Sequence, residues 1–150
     1  MPAKKTSPGS TTTPCWYSRA VSARVDNQSF RLLKRYLPGP YTFLLSGTKE
    51  VPRRLLHPKR KTIGLRVPDH AIAAALLEAH AAPILSTTLR MPDDVEPLSD
   101  PETIRAQLEH LVDLVVDGGP AGIEPTTVID LTGGVPQLVR SGKGLWREAG

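Results

Sequence analysis

Apolar residues occur in blocks from residue 27 onward, and their spacing alternates between that of a helix and that of a strand. A capping residue, Asn27, begins a stretch with apolar side chains at helical spacing, and Pro38 ends it. An Ala- and Leu-rich composition predicts a second helix at residues 70–82. A capped first turn predicts a third helix at residues 100–111. Runs of apolar, β-branched and aromatic residues predict strands at residues 41–45, 62–67, 83–88, 112–116, 127–131 and 137–140. This mixture, with two closely spaced strands at the end, predicts an α/β domain with a mixed sheet.

The length of 150 residues indicates one compact domain with tails. Residues 1–26 are rich in Ser, Thr and Pro, carry basic residues and lack apolar periodicity, so we expect a disordered or atypical tail there. The domain is predicted at residues 27–145, and residues 146–150 form a C-terminal tail.

Composition also excludes several classes of protein. A single cysteine, Cys15, excludes a disulfide scaffold and a zinc ribbon. No apolar run approaches the roughly 18 residues of a membrane span, and the N-terminal residues lack the apolar stretch of a signal peptide. We therefore expect a cytoplasmic protein with no membrane partner.

The net charge of +4 conceals a division between the two parts of the chain. Residues 1–66 hold 14 Lys/Arg and 2 Asp/Glu, whereas residues 67–150 hold 5 and 13. A basic half of this density attracts polyanions such as RNA and nucleotides, although a solvated basic surface would have the same composition.

The sequence contains no familiar catalytic signature, so the catalytic residues are unknown at this stage. The four histidines have no metal-ligand spacing with the cysteine or with one another, and we predict no metal site. They are His57, His70, His80 and His110.

A cluster of cations precedes the second predicted strand, and Arg66 lies within that strand. The cluster comprises Arg53, Arg54, Lys59, Arg60 and Lys61. Such a cluster favours binding to the phosphates of RNA, and the alternative is a charged edge that prevents sheets from aggregating.

Hydroxyl groups and one arginine mark the ends of three predicted strands. Thr88 and Thr126 could bond phosphates at the mouth of a sheet, although threonine is also simply a good strand former. Arg140 comes directly before a glycine-rich segment, where its guanidinium could clamp a phosphate or could lie at an exposed strand end.

Several ordered motifs between about residues 27 and 145 together resemble the YrdC/YciO family, which is the threonylcarbamoyl-adenylate synthase superfamily. They are Leu37-Pro38-Gly39-Pro40-Tyr41-Thr42, Gly64-Leu65-Arg66-Val67-Pro68-Asp69-His70 and Thr126-Thr127-Val128-Ile129-Asp130. The likeness is closest to the YciO branch, in Gly47-Thr48-Lys49-Glu50-Val51-Pro52-Arg53-Arg54-Leu55-Leu56 and Lys59-Arg60-Lys61-Thr62-Ile63-Gly64.

This resemblance implies a YrdC-like twisted mixed β-sheet with flanking helices and a positively charged cavity. In synthase members it implies that ATP, with Mg²⁺ as counter-ion, L-threonine and bicarbonate form threonylcarbamoyl-adenylate for modification of tRNA. The family is also linked to double-stranded RNA and tRNA.

By position in the motifs, the resemblance implies four nucleotide-binding residues, which are Arg66, Thr88, Thr126 and Arg140. Two positions depart from the synthase pattern. Arg90 stands where synthases have the Asn of a Ser-Ala-Asn motif, and Ser141 replaces the usual proline after Arg140.

The family pattern also places a strand-helix segment with phosphate-gripping residues before Asn27, and residues 1–26 do not resemble it. We therefore expect a domain that lacks this segment, binds nucleotide and RNA, has little synthase activity and exposes edges that favour a homodimer. The alternatives are an active synthase and a remnant without function.

Overall fold

The computed structural model describes residues 23–49, 51, 56–92 and 94–147. It confirms the α/β class, with three helices and four strands in this part of the chain. The helices are α1 (Asn27–Tyr36), α2 (Ala71–His80) and α3 (Pro101–Leu108), and the strands are β1 (Tyr41–Ser46), β2 (Thr62–Leu65), β3 (Thr127–Asp130) and β4 (Gln137–Arg140).

The four strands form one mixed sheet in the order β2-β1-β3-β4. β1 is antiparallel to β2 and parallel to β3, and β3 is antiparallel to β4. The pairing of β3 with β4 confirms the predicted hairpin, and it contains an irregularity between Val128 and Ile129.

The hydrophobic core lies on one face of this sheet. Phe43, Leu45 and Ile129 are almost completely buried there, together with Leu33 of α1. Because side chains alternate along a strand, Thr42 and its neighbours at every second position point to the opposite face. This second face carries the candidate site.

The residue that begins α1 is not the predicted one. Asp26, rather than Asn27, is the N-cap, and its carboxylate accepts a hydrogen bond from the backbone N–H of Ser29 at 2.7 Å. This bond lowers the pKa of Asp26. At the other end the helix stops before Pro38, as predicted.

Two predicted strands, at residues 83–88 and 112–116, are wrong, because neither segment forms a strand. Their apolar and β-branched composition favours extended backbone, but a strand also needs a neighbour that takes its backbone hydrogen bonds. In the described residues no strand pairs with either segment. Both instead expose large apolar side chains, including Leu85 and Leu114 at 76% and 75% exposure.

Residues outside the predicted limits of 27–145 also contact the core. Ala23 pairs with Gly47, and Ala23, Val25 and Trp146 pack against the buried cluster. The rest of the two predicted tails, residues 1–22 and 148–150, lies outside the described residues. No helix in the described part of the chain has the length and apolarity needed to cross a membrane.

Candidate functional site

Strand register brings one threonine and two arginines to the same level of the sheet. Thr42 of β1 is opposite Val128 of β3, and Val128 is opposite Arg140 of β4. On the other side of β1, Leu65 is opposite Phe43, so Arg66 follows at the level of Thr42. These residues, Arg66, Thr42, Val128 and Arg140, form the Arg140 row, which lies where β1 begins and β4 ends.

The guanidinium of Arg140 is anchored to the backbone. Its Nε and Nη2 atoms donate to the carbonyl oxygen of Thr126, at 3.3 and 2.9 Å. Within the described residues Nη1 has no hydrogen-bond partner, and the side chain is exposed. The anchor therefore fixes the fork while leaving donors for an anionic ligand.

Thr126 also connects the site to β1 through its side chain. Its Oγ1 lies 2.8 Å from Oγ1 of Thr42, and this contact is partly buried. Thr126 thus links the guanidinium of Arg140, through its carbonyl, to a pair of hydroxyl groups.

The loop after Arg140 is held by Thr127, the first residue of β3. The buried Thr127 hydroxyl donates to the carbonyl of Gly144 at 2.6 Å and accepts from the N–H of Gly142 at 3.0 Å. A Cβ on Gly142 would collide with the carbonyl oxygen of Pro125. The close approach of this loop to β3 thus requires both a buried hydroxyl and a glycine.

The structure brings together Thr126 and Arg140 directly, and places Arg66 one strand away from Thr42. No hydrogen bond or ion pair joins Thr88 to these residues within the described part of the chain. Thr88 is exposed, in the segment wrongly predicted as a strand. The sequence analysis did not predict Thr42 as a site residue or the anchoring role of Thr127. The available signal for Thr42 was a polar side chain on the non-core face of an apolar strand, and the signal for Thr127 was the glycines after Arg140.

The described part of the basic cluster forms an exposed turn before β2. The Nδ1 atom of His57 accepts from the backbone N–H groups of Lys59 and Arg60, and Lys61 donates to the carbonyl of Pro58 at 2.7 Å. Because Ser46 pairs with Thr62 and Thr42 is level with Arg66, the turn and the Arg140 row lie at opposite ends of the sheet, roughly 13 Å apart. Arg53 and Arg54 lie outside the described residues.

A third surface is an open groove of about 390 Å³ between α3 and residues 112–117. Its lining includes Glu102, Glu109, Asp113 and Asp117, so its charge is opposite to that of the basic turn. In the described residues no group of three His, Cys, Asp or Glu side chains is placed to hold a metal ion.

Comparison with known proteins identifies the family of the chain. The model of the Sua5/YciO/YrdC family, described as "Telomere recombination", matches residues 15–142. The protein YciO of Escherichia coli K12 is 59% identical over 120 residues, which are 80% of this chain and 58% of that protein. The threonylcarbamoyl-AMP synthase of Pyrococcus abyssi is 31% identical over 124 residues, which are 81% of this chain and 36% of that protein.

Solved structures give the same result. The crystal structure of E. coli YciO superimposes with a TM-score of 0.78 at 56% identity, over 85% of this chain and 63% of that one. The structure of P. abyssi Sua5 complexed with L-threonine superimposes with a TM-score of 0.74 at 29% identity, over 85% of this chain and 37% of that one. The chain thus spans less than two thirds of these relatives. Matches that run through every strand of the sheet confirm the family resemblance and the fold, and the chain belongs to the Sua5/YciO/YrdC family.

Proposed function

We propose that this protein is a nucleotide-binding module of the YciO type, which binds ATP, with Mg²⁺ as counter-ion, on the sheet face that carries Thr126 and Arg140. The observation that supports it most is the guanidinium of Arg140, fixed on the Thr126 carbonyl beside two hydroxyl groups. Arg66, at the same level of the sheet, adds a second positive charge.

The physical reason is preorganisation. A guanidinium that is already oriented loses little conformational freedom when it binds a phosphate, and charge-assisted hydrogen bonds are the strong ones. The relatives supply the ligand chemistry, because one is a threonylcarbamoyl-AMP synthase and one structure was determined in complex with L-threonine. We therefore propose L-threonine as a second ligand.

We further propose that synthase activity is weak. Thr88, one of the four nucleotide-binding candidates, lies on an exposed segment that makes no hydrogen bond to Thr126 or Arg140. The alternative is a threonylcarbamoyl-AMP synthase that acts in tRNA modification. Release of pyrophosphate from ATP, in the presence of L-threonine and bicarbonate, would support that alternative.

Calorimetric titration of MgATP into protein shown to be folded by circular dichroism tests the proposal. Loss of charge-assisted bonds worth about 1.5–3 kcal/mol should weaken ATP binding roughly 10- to 150-fold in Arg140→Ala. The control is Arg105→Ala, which removes an exposed arginine of α3 that pairs with Glu109 and should leave the affinity unchanged. Absence of ATP binding to the folded protein, or wild-type affinity in Arg140→Ala, would refute the proposed site.

A second candidate function is binding of double-stranded RNA or tRNA through the turn formed by Lys59, Arg60 and Lys61. All three side chains are exposed, and the turn lies at the end of the sheet opposite to Thr42 and Arg140. Arg53 and Arg54 extend the same stretch of sequence. Phosphate contacts predict that RNA affinity falls steeply with added salt.

The test replaces Lys59, Arg60 and Lys61 by glutamate and measures the salt dependence of RNA affinity. The slope should flatten by about 2–3 in log K against log salt if each cation contacts one phosphate. The matched control reverses three exposed charges on α1, at Arg31, Lys34 and Arg35. Equal slopes in the turn variant and the wild type would show that the turn is only a solvated surface.

We also propose a cytoplasmic location and a homodimer. The homodimer is supported by the exposed apolar side chains of residues 83–88 and 112–116, and by β4, all four residues of which are exposed at the sheet edge. Apolar surface and an open edge both favour association with a second chain.

A further inference from the structure

Thr42 is a threonine of β1 whose hydroxyl contacts the proposed site without contacting Arg140. Its Oγ1 lies 2.8 Å from Oγ1 of Thr126. In the sequence it is part of an apolar strand, and the alternation of that strand places it on the face opposite the core.

The methyl group of Thr42 lies on the β2 side of its strand. A Cβ built on Gly64 would lie 3.3 Å from Cγ2 of Thr42, so the methyl group faces the neighbouring strand β2. The hydroxyl is directed the other way, to Thr126 beside β3. The methyl and hydroxyl groups of Thr42 therefore face opposite sides of β1.

Two hydroxyl groups in contact share one hydrogen between them. If Thr126 donates to Thr42, its hydrogen is used and it offers a ligand only lone pairs. If Thr42 donates to Thr126, the Thr126 hydrogen is available for a ligand acceptor, and the chain of two hydrogen bonds strengthens both. A phosphate oxygen beside the Arg140 guanidinium favours the second arrangement, because it accepts hydrogen bonds and does not donate them.

We propose that Thr42 is a positioning residue, which donates to Thr126 and thereby directs the Thr126 hydroxyl to a phosphate group held by Arg140. This inference rests on the proposed nucleotide-binding function. It assigns to the strand residue a role in ligand affinity that is separate from its role in the sheet. The alternative is a cross-strand threonine pair that only stabilises the fold.

The experiment compares Thr42→Val and Thr42→Ser in titrations with MgATP. Thr42→Val should weaken ATP binding about 5- to 10-fold, the effect of one ordinary hydrogen bond, and Thr42→Ser should bind within about twofold of the wild type. The matched control is Ser46→Ala, which removes a hydroxyl from the same face of the same strand at its other end and should not change the affinity. Urea unfolding of each variant separates affinity from stability.

A double-mutant cycle with Thr126→Ala tests whether Thr42 acts through Thr126. In the Thr126→Ala background, Thr42→Val should have no further effect on ATP binding. Displacement of ATP by inorganic triphosphate should show the same 5- to 10-fold change, since the proposed contact is to phosphate. Additive effects of the two substitutions, or a Thr42→Val variant with wild-type affinity, would overturn the inference, as would an effect on ATP that inorganic triphosphate does not share.

The outcomes also separate this inference from the proposed function. A folded wild-type protein that does not bind ATP refutes both. A wild-type protein that binds ATP through Arg140, with Thr42→Val unaffected, refutes the role of Thr42 and leaves the nucleotide-binding site in place.

Discussion

Replacement of Thr127 by valine should destabilise the protein, although the two side chains have nearly the same shape. The Thr127 hydroxyl is completely buried and joins two points of the loop that follows Arg140. Valine cannot accept from the N–H of Gly142 or donate to the carbonyl of Gly144. The substitution therefore leaves both backbone groups without their partner.

The expected magnitude follows from the burial of these two groups. Gly144 is buried, so its carbonyl left without a donor costs about 1–3 kcal/mol, and the bond to the half-buried Gly142 contributes about 0.5–1.5 kcal/mol. The added methyl group of valine recovers about 0.8 kcal/mol. We expect a net decrease of roughly 1–4 kcal/mol in the free energy of unfolding.

Urea unfolding followed by circular dichroism measures this difference, with Thr127→Ser as the comparison. Serine keeps both hydrogen bonds and loses one buried methyl group, so its free energy of unfolding should lie between the other two. The control Thr87→Val makes the same change at an exposed position and should stay within about 0.5 kcal/mol of the wild type. If Thr127→Val unfolds at the same urea concentration as the wild type, or if Thr127→Ser unfolds at the same urea concentration as Thr127→Val, the hydroxyl does not hold the loop.

Three further predictions concern the loop, a helix cap and the exposed apolar surface. Gly142→Ala should lower the free energy of unfolding by more than about 2 kcal/mol in urea titration, because the Cβ meets the backbone of Pro125, whereas Gly122→Ala, into open space, should be neutral. Hydrogen bonds from the hydroxyl and then the N–H of Thr103 lower the pKa of Asp100 below 3.8. The carboxylate therefore stabilises the folded protein fully above pH 3.8, and this stabilisation is lost as the pH falls through the lowered pKa. The melting temperature of the wild type should decrease as the pH falls below about 4, and that of Asp100→Asn should decrease less. Leu114→Glu, at a 75% exposed side chain, should reduce self-association in sedimentation velocity, and an unchanged sedimentation coefficient would contradict the proposed dimer surface.

The sequence predicted the elements whose signals are local, which are helices with their own capping residue and strands that pair with a strand nearby in the sequence. α1 and α3 have a capping carboxylate at their start, and β3 and β4 are close enough in sequence to pair as a hairpin. Residues 83–88 and 112–116 have equally good strand composition, but a strand also needs a neighbouring strand to pair with, and the local pattern does not show whether one is present. The sequence could not supply that information.

The same distinction applies to the candidate site. Family motifs predicted Thr126 and Arg140 as single positions, and the structure adds the contact between them. The site contact of Thr42 and the anchoring role of Thr127 were not predicted, because both depend on the three-dimensional structure. Thr42 lies beside Thr126 only through the parallel pairing of β1 with β3. Thr127 holds a loop 15 to 17 residues further along the chain. Such contacts require the three-dimensional arrangement of strands.

The candidate ligand contacts of the site come from two parts of the molecule, the paired strands of the sheet and the segment at residues 83–88. Thr42, Thr126 and Arg140 are held by β1, β3 and β4, and these strands are joined to one another directly. Thr88 belongs to a segment with no strand partner among the described residues. An interaction that moves residues 83–88 should therefore change the contacts of Thr88, while the Arg140 contacts stay as the sheet fixes them. ATP binding that is weakened by Arg140→Ala but not by Thr88→Ala would follow from this arrangement, and equal weakening by both substitutions would show that Thr88 also contacts the ligand.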